Sequence, residues 1–189
     1  MGRIIDISQE TLKKAVTDIE AFREIYKKTA GFVYNLALQI IHNQEDAEEI
    51  TQDVFMKVYR NLKNFHFRSS FSTWLYRIAI NTTINRYRKR IKEYKLNIEY
   101  KDGISSDSFE NKLGEELGKL DSKIIVDKLL KLLDEEQRIC LILREIEGLS
   151  YGEIAKILKI PLNTVRTRLK RARENFLKYA KKELIKNEV

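Results

Sequence analysis

A single proline, Pro161, is the feature that most limits what this chain can fold into. With only seven glycines beside it in 189 residues, there are few places for tight β-turns or broken helices. Such a chain reads as long helices joined by few turns, and no segment has a convincing strand pattern. The length fits one average domain or two small ones, and a hydrophobic fraction of 43% is enough for packed cores. Charge narrows the partners instead. A formal net charge of +8 favours a polyanion such as nucleic acid or an anionic membrane surface.

Several functions are disfavoured. The run Gly31 to Ile41 is the most apolar long stretch, but Asn35 and Gln39 interrupt it, and it is shorter than the roughly 20 residues of a membrane span. The N-terminal residues lack a signal-peptide pattern. Cys140 is the lone cysteine and lies in the apolar run Ile139 to Leu143, so it reads as a small core residue in a protein of a reducing compartment. The expectation is a cytoplasmic protein with no membrane insertion. His42 and His66 have no partner at metal-ligand spacing. No phosphate-cradling glycine loop or nucleophile elbow is present. No metal, cofactor, catalytic residue or enzymatic activity is therefore expected.

Periodicity divides the chain into three parts. Helices are expected at about Leu12 to Lys27, Gly31 to Ile41, Asn43 to Leu62 and Thr73 to Lys92, the last capped by Ser72. Ile50, Val54, Phe55 and Val58 make a core stripe on the third, and Phe71, Leu75, Ile78, Ala79 and Thr82 one on the fourth. From Leu96 to Asp121 the pattern weakens around Asp102 to Ser108, which reads as a flexible linker. Helical patterning then returns at Lys123 to Leu133, Glu135 to Glu147, Tyr151 to Lys159 and Asn163 to Leu184. The fold class is all-α: two small helical domains, residues 1–95 and 122–189, joined by residues 96–121.

Leu149 to Arg173 carries the clearest local signal. Ser150 caps a short helix, Ile160 to Asn163 turns the chain, and a basic helix follows: a helix-turn-helix pattern. Val165 and Leu169 face the core. Arg166, Thr167 and Lys170 share the outer face near the helix start, where a major-groove helix reads base edges. Arg168, Arg171 and Arg173 suit phosphate contacts. A solvated basic face is the bland alternative, and the preceding helix, turn and apolar partners weigh against it.

The stretches Leu133 to Arg138, Leu143 to Ala155 and Ile160 to Arg173 resemble the C-terminal domain of extracytoplasmic-function (ECF) sigma factors of bacterial RNA polymerase. Lys159 and Asn163 stand where that family often has glycine. Asp46-Ala47-Glu48-Glu49-Ile50-Thr51-Gln52-Asp53 resembles the family's polymerase-binding helix, and Phe71-Ser72-Thr73-Trp74-Leu75-Tyr76-Arg77-Ile78-Ala79 is close to another of its signatures. Two signatures in the family's order, over nearly the whole chain, are far more specific than either alone.

The resemblance implies a dissociable initiation factor, monomeric when free. The C-terminal domain would bind the −35 promoter element. Glu49, Gln52 and Asp53, one exposed face at i, i+3 and i+4, would dock on a coiled coil of the largest subunit of core RNA polymerase. Arg77, Asn81, Asn85 and Arg88 form a polar stripe that would read the −10 element as promoter DNA opens. The loop Phe65 to Ser70, with Phe67 and Ser69, would receive a flipped base. An anti-sigma factor is the implied regulator. The competing expectation is a stand-alone helix-turn-helix regulator of duplex DNA. It would need a dimer seam, and no heptad seam is evident.

Overall fold

The first helix starts in this chain are set by short polar side chains. In the computed structural model, which describes residues 7–99 and 122–186, the Ser8 hydroxyl accepts the Thr11 amide and opens α1 (Gln9–Lys14). The Asp18 carboxylate accepts the Glu20 amide and opens α2 (Ile19–Ile41). The Asn43 side chain does the same for α3 (Gln44–Asn61), whose first turn carries Glu45 and Asp46 at the positive end of the helix dipole. A 3₁₀ turn, Leu62–Asn64, leads through a loop into α4 (Phe71–Glu99).

The structure corrects four expectations here. Leu12 to Lys27 is not one helix: α1 ends at Lys14, and Asp18 caps a new start. Gly31 does not separate two helices but lies inside α2, because Phe32, Val33, Leu36, Ala37 and Ile40 around it are buried. Their burial outweighs the roughly 1 kcal/mol a helical glycine costs. Ser72 is not the cap of α4; the Ser70 hydroxyl accepts the Thr73 amide at 3.2 Å. α4 also runs beyond Lys92 to Glu99, into the segment expected to be linker. The remainder of that segment, residues 100–121, lies outside the described residues.

The second half follows the expected order: α5 (Ser122–Lys131), α6 (Glu135–Leu141), α7 (Tyr151–Leu158) and α8 (Leu162–Lys186). α6 continues into a wider π turn, Ile142–Ile146, closed by the Glu147 amide on the Ile142 carbonyl. Gly148 then adopts φ 68°, and the Leu149 amide bonds the Leu143 carbonyl, a glycine-dependent helix stop. Ser150 and Glu153 form a reciprocal capping box on α7. No strand occurs among the described residues.

α2, α3 and α4 pack as one bundle, with Leu36, Ile50, Val54, Val58, Leu75 and Ala79 at its centre. α6, α7 and α8 form the other, around Ile142, Ile154, Val165 and Leu169. The two bundles touch through α4 and α7. α2, α3 and α7 all pack on α4, which is buried on more than one side: Leu75 and Ala79 as expected, and also Tyr76, Ile80 and Thr83.

Candidate nucleic-acid interface

The helix-turn-helix is built as its sequence requires. Lys159, at the end of α7, takes φ 54° and ψ 45° and its amide bonds the Ala155 carbonyl. The Pro161 carbonyl then accepts the Thr164 and Val165 amides, starting α8. Val165, Leu169 and Ala172 are fully buried and lock the face of α8 that points inward.

The outward face is thereby fixed. Arg166, Thr167, Lys170 and Arg171 are exposed. Arg166 donates to the Asn163 side chain at 3.0 Å, and the Thr167 hydroxyl to the Asn163 carbonyl at 3.0 Å. These bonds orient groups at the start of the helix. Lys170 pairs loosely with Glu174, 3.9 Å away. The two remaining arginines are engaged within the protein. Arg168 is half-buried and pairs with Glu136 at 2.6 Å. Arg173 donates to Glu145 at 2.7 Å and to the Tyr151 hydroxyl at 3.2 Å.

On α4, Asn81 and Asn85 are exposed one turn apart. The arginines at the ends of this stripe are held by the second bundle. Arg77 donates through Nε (3.0 Å) and Nη2 (2.7 Å) to the Lys156 carbonyl, in the last turn of α7, where carbonyls lack helical partners. Arg88 pairs with Glu135 at 2.8 Å. Next to Arg77 in the chain, the Tyr76 hydroxyl donates to Glu147 at 2.8 Å, with Tyr76 1% and Glu147 5% exposed. The Arg138 guanidinium, 2% exposed, stacks 4.7 Å from the Tyr87 ring centre. Its Nε and Nη2 have no hydrogen-bond partner among the described residues.

The loop before α4 is aromatic and strained. Phe67 has φ 54°, which is costly for a bulky side chain, and its ring is part exposed. It lies 4.8 Å from Phe65, which in turn lies 5.0 Å from Trp74. An open pocket of about 370 Å³ adjoins these rings, lined by Phe65, Phe67, Ser69 and also by Gln9 and Leu12 of α1. Sequence reasoning gave α1 no part in the site, since nothing in its periodicity places it beside residue 67.

Glu49, Gln52 and Asp53 form the expected exposed face of α3. Asp46 and Glu49 both pair with Arg86 of α4, and Asp46 pairs with Arg90 as well. Burial opposes the charge on Arg86, but these hydrogen bonds and nearby carboxylates hold its pKa above the usual value. Met56 and Tyr59, each about half exposed, continue the face by one and two turns. Their signal was in the sequence: apolar residues at positions the core stripe of α3 does not use.

Comparison with known proteins adds three findings. A family model described as Sigma-70 region 2 matches residues 25–93, and one described as Sigma-70, region 4 matches residues 123–176. The chain is 36% identical over 164 residues to the ECF RNA polymerase sigma factor SigW of Bacillus subtilis, covering 83% of this chain and 87% of that protein. It is 36% identical over 163 residues to the RNA polymerase sigma-H factor of Pseudomonas aeruginosa, covering 83% and 84%. In fold it is similar to CnrH, solved in complex with the cytosolic domain of CnrY (TM-score 0.68, 21% identity, 94% of this chain and 99% of that one). It is also similar to the sigma factor RpoE, solved with the anti-sigma factor NepR from Bartonella quintana (TM-score 0.65, 24% identity, 86% and 98%).

Proposed function

Since the chain belongs to the ECF class of sigma-70 factors, the alternative sigma factors that direct RNA polymerase to promoters, we propose how its residues divide that work. Residues 1–95 dock on core polymerase through Glu49, Gln52 and Asp53, with Met56 and Tyr59 adding apolar contact beside them. The same unit reads the opened −10 element through Asn81 and Asn85. Residues 122–189 place α8 in the major groove at the −35 element, where Arg166, Thr167 and Lys170 reach base edges.

The observation that carries this division is the position of the exposed groups. The acidic face of α3, the two amides of α4 and the basic start of α8 lie on different helices, each fixed by a buried opposite side. The family relationship favours this reading over a stand-alone regulator. Of the three arginines expected at phosphates, exposed Arg171 keeps that role, while Arg168 and Arg173 also hold α8 on its bundle through Glu136 and Glu145. Arg77 and Arg88 meet DNA only after the two bundles part, since both are bonded to the second bundle here.

The polymerase supplies the chemistry and this chain supplies promoter choice, in the cytoplasm. An anti-sigma factor is the regulator that fits, by analogy with the anti-sigma factor NepR solved with RpoE. The test is transcription by purified bacterial core polymerase on genomic fragments. Added wild-type chain gives transcripts from defined start sites, and the triple variant Glu49→Ala, Gln52→Ala, Asp53→Ala loses them. Specific duplex binding without polymerase, and no gain in initiation with it, would contradict the proposal.

A further inference from the structure

The pocket beside Phe67 draws one wall from a helix that neither the promoter-reading stripe nor the polymerase-docking face uses. Gln9, Leu12 and Ile7 contribute to it from the N-terminal segment, opposite Phe65, Phe67 and Ser69. Its volume of about 370 Å³ falls in the range of roughly 300–1,000 Å³ typical of small-molecule sites. Aromatic residues and a glutamine lining one open pocket offer what an unstacked base needs: a flat apolar surface and a group able to both donate and accept.

α1 is held firmly enough to position such a group. Leu12 (3% exposed) and Ala15 (1%) anchor it to the first bundle, and Ser8 caps its start. Gln9 and Lys13 are both exposed and lie one turn apart, on one side of the helix. The Lys13 Nζ stands 6.0 Å from the Phe67 ring centre, within reach of a cation–π contact. Across the pocket the Ser70 hydroxyl is engaged with Thr73. The Gln9 amide is therefore the pocket's long polar side chain with both a donor and an acceptor to offer.

We propose that Gln9 reads the edge of the unstacked base received beside Phe67, and that Lys13 holds the phosphate next to it. This rests on the reading of the Phe65–Ser70 loop as a base-receiving site, and it adds α1 as a determinant of promoter specificity. A glutamine amide can pair two edge atoms of a base at once. Lys13 supplies attraction without sequence preference.

The test uses polymerase reconstituted with the full-length chain on a promoter library randomised across the −10 element. Transcripts are sequenced to give a base preference at each position, and open-complex formation is then measured with each selected base replaced by an abasic site. The expected result is one position where the abasic site blocks opening. At that position alone, Gln9→Ala lowers base discrimination by roughly fivefold to a hundredfold. Gln9→Glu, which keeps the shape and removes the donor, shifts preference toward bases with an amino group. Lys13→Ala weakens DNA binding alike for all sequences and lowers the slope of log K against log salt by about 0.7. If a selective, abasic-sensitive position exists but both Gln9 variants leave its preferences unchanged, the role of α1 is overturned and the pocket stands. If no position is sensitive to base removal, the pocket itself receives no base, and both fall together.

Discussion

His42 shows how one side chain can report on the whole assembly. It ends α2 with φ 54° and its amide bonds the Leu38 carbonyl. Burial, then Lys131 of α5 and Arg138 of α6, push its pKa down from 6.5 to about 4. The folded state thus resists a proton that the unfolded chain accepts. The stabilisation is complete above pH 6.5 and is lost as pH falls toward 4, by up to roughly 3 kcal/mol. Denaturant unfolding at stepped pH checks this: stability is expected to fall over that window. His42→Asn, which tolerates the left-handed backbone and cannot titrate, is expected to flatten the decline. An ordinary histidine titration measured by NMR in the folded chain would contradict it.

At the scale of elements, α8 separates recognition from attraction. Arg166→Ala is expected to cost about 1–3 kcal/mol at the −35 base it reads and to relax the preference there. Arg171→Ala is expected to weaken binding of the polymerase complex evenly across sequences and to reduce its salt dependence. Competition binding with −35 variants at two salt concentrations distinguishes the two patterns; identical patterns would remove the distinction. Much of this was legible in the sequence. Val165 and Leu169 at helical spacing fixed which side of α8 faces inward, so the outward basic face followed. What periodicity could not tell is which cations remain available. Arg168 and Arg173 meet Glu136 and Glu145 from residues 28 or more away in the chain, and such pairings depend on packing. The same limit explains α2. A local rule breaks the helix at Gly31, whereas the burial of its neighbours carries the helix through.

At the scale of the molecule, the contact between bundles adds long-range polar bonds to a shared apolar core. Tyr76 and Glu147, 71 residues apart, share a buried hydrogen bond, and no local pattern announces it. Helical spacing places Arg77 and Arg88 on a DNA-reading stripe but carries no sign that the second bundle holds both. Removing one partner of a buried bond costs about 1–3 kcal/mol. Glu147→Ala is therefore expected to loosen the bundles, seen as a larger radius of gyration in solution scattering with unchanged helix content. An unchanged radius would mean that Tyr76 and Glu147 do not hold the bundles together.

The division between α4 and α8 is expected to give this chain two separable jobs at a promoter. Its most direct test is chemical probing of unpaired thymines in complexes of core polymerase, promoter and chain. With Asn81→Ala and Asn85→Ala together, protection at the −35 element is expected to persist while reactive thymines at the −10 element disappear. With Arg166→Ala and Lys170→Ala, −35 protection is expected to be lost first. Loss of both signals to the same extent in both variants would contradict the division of labour.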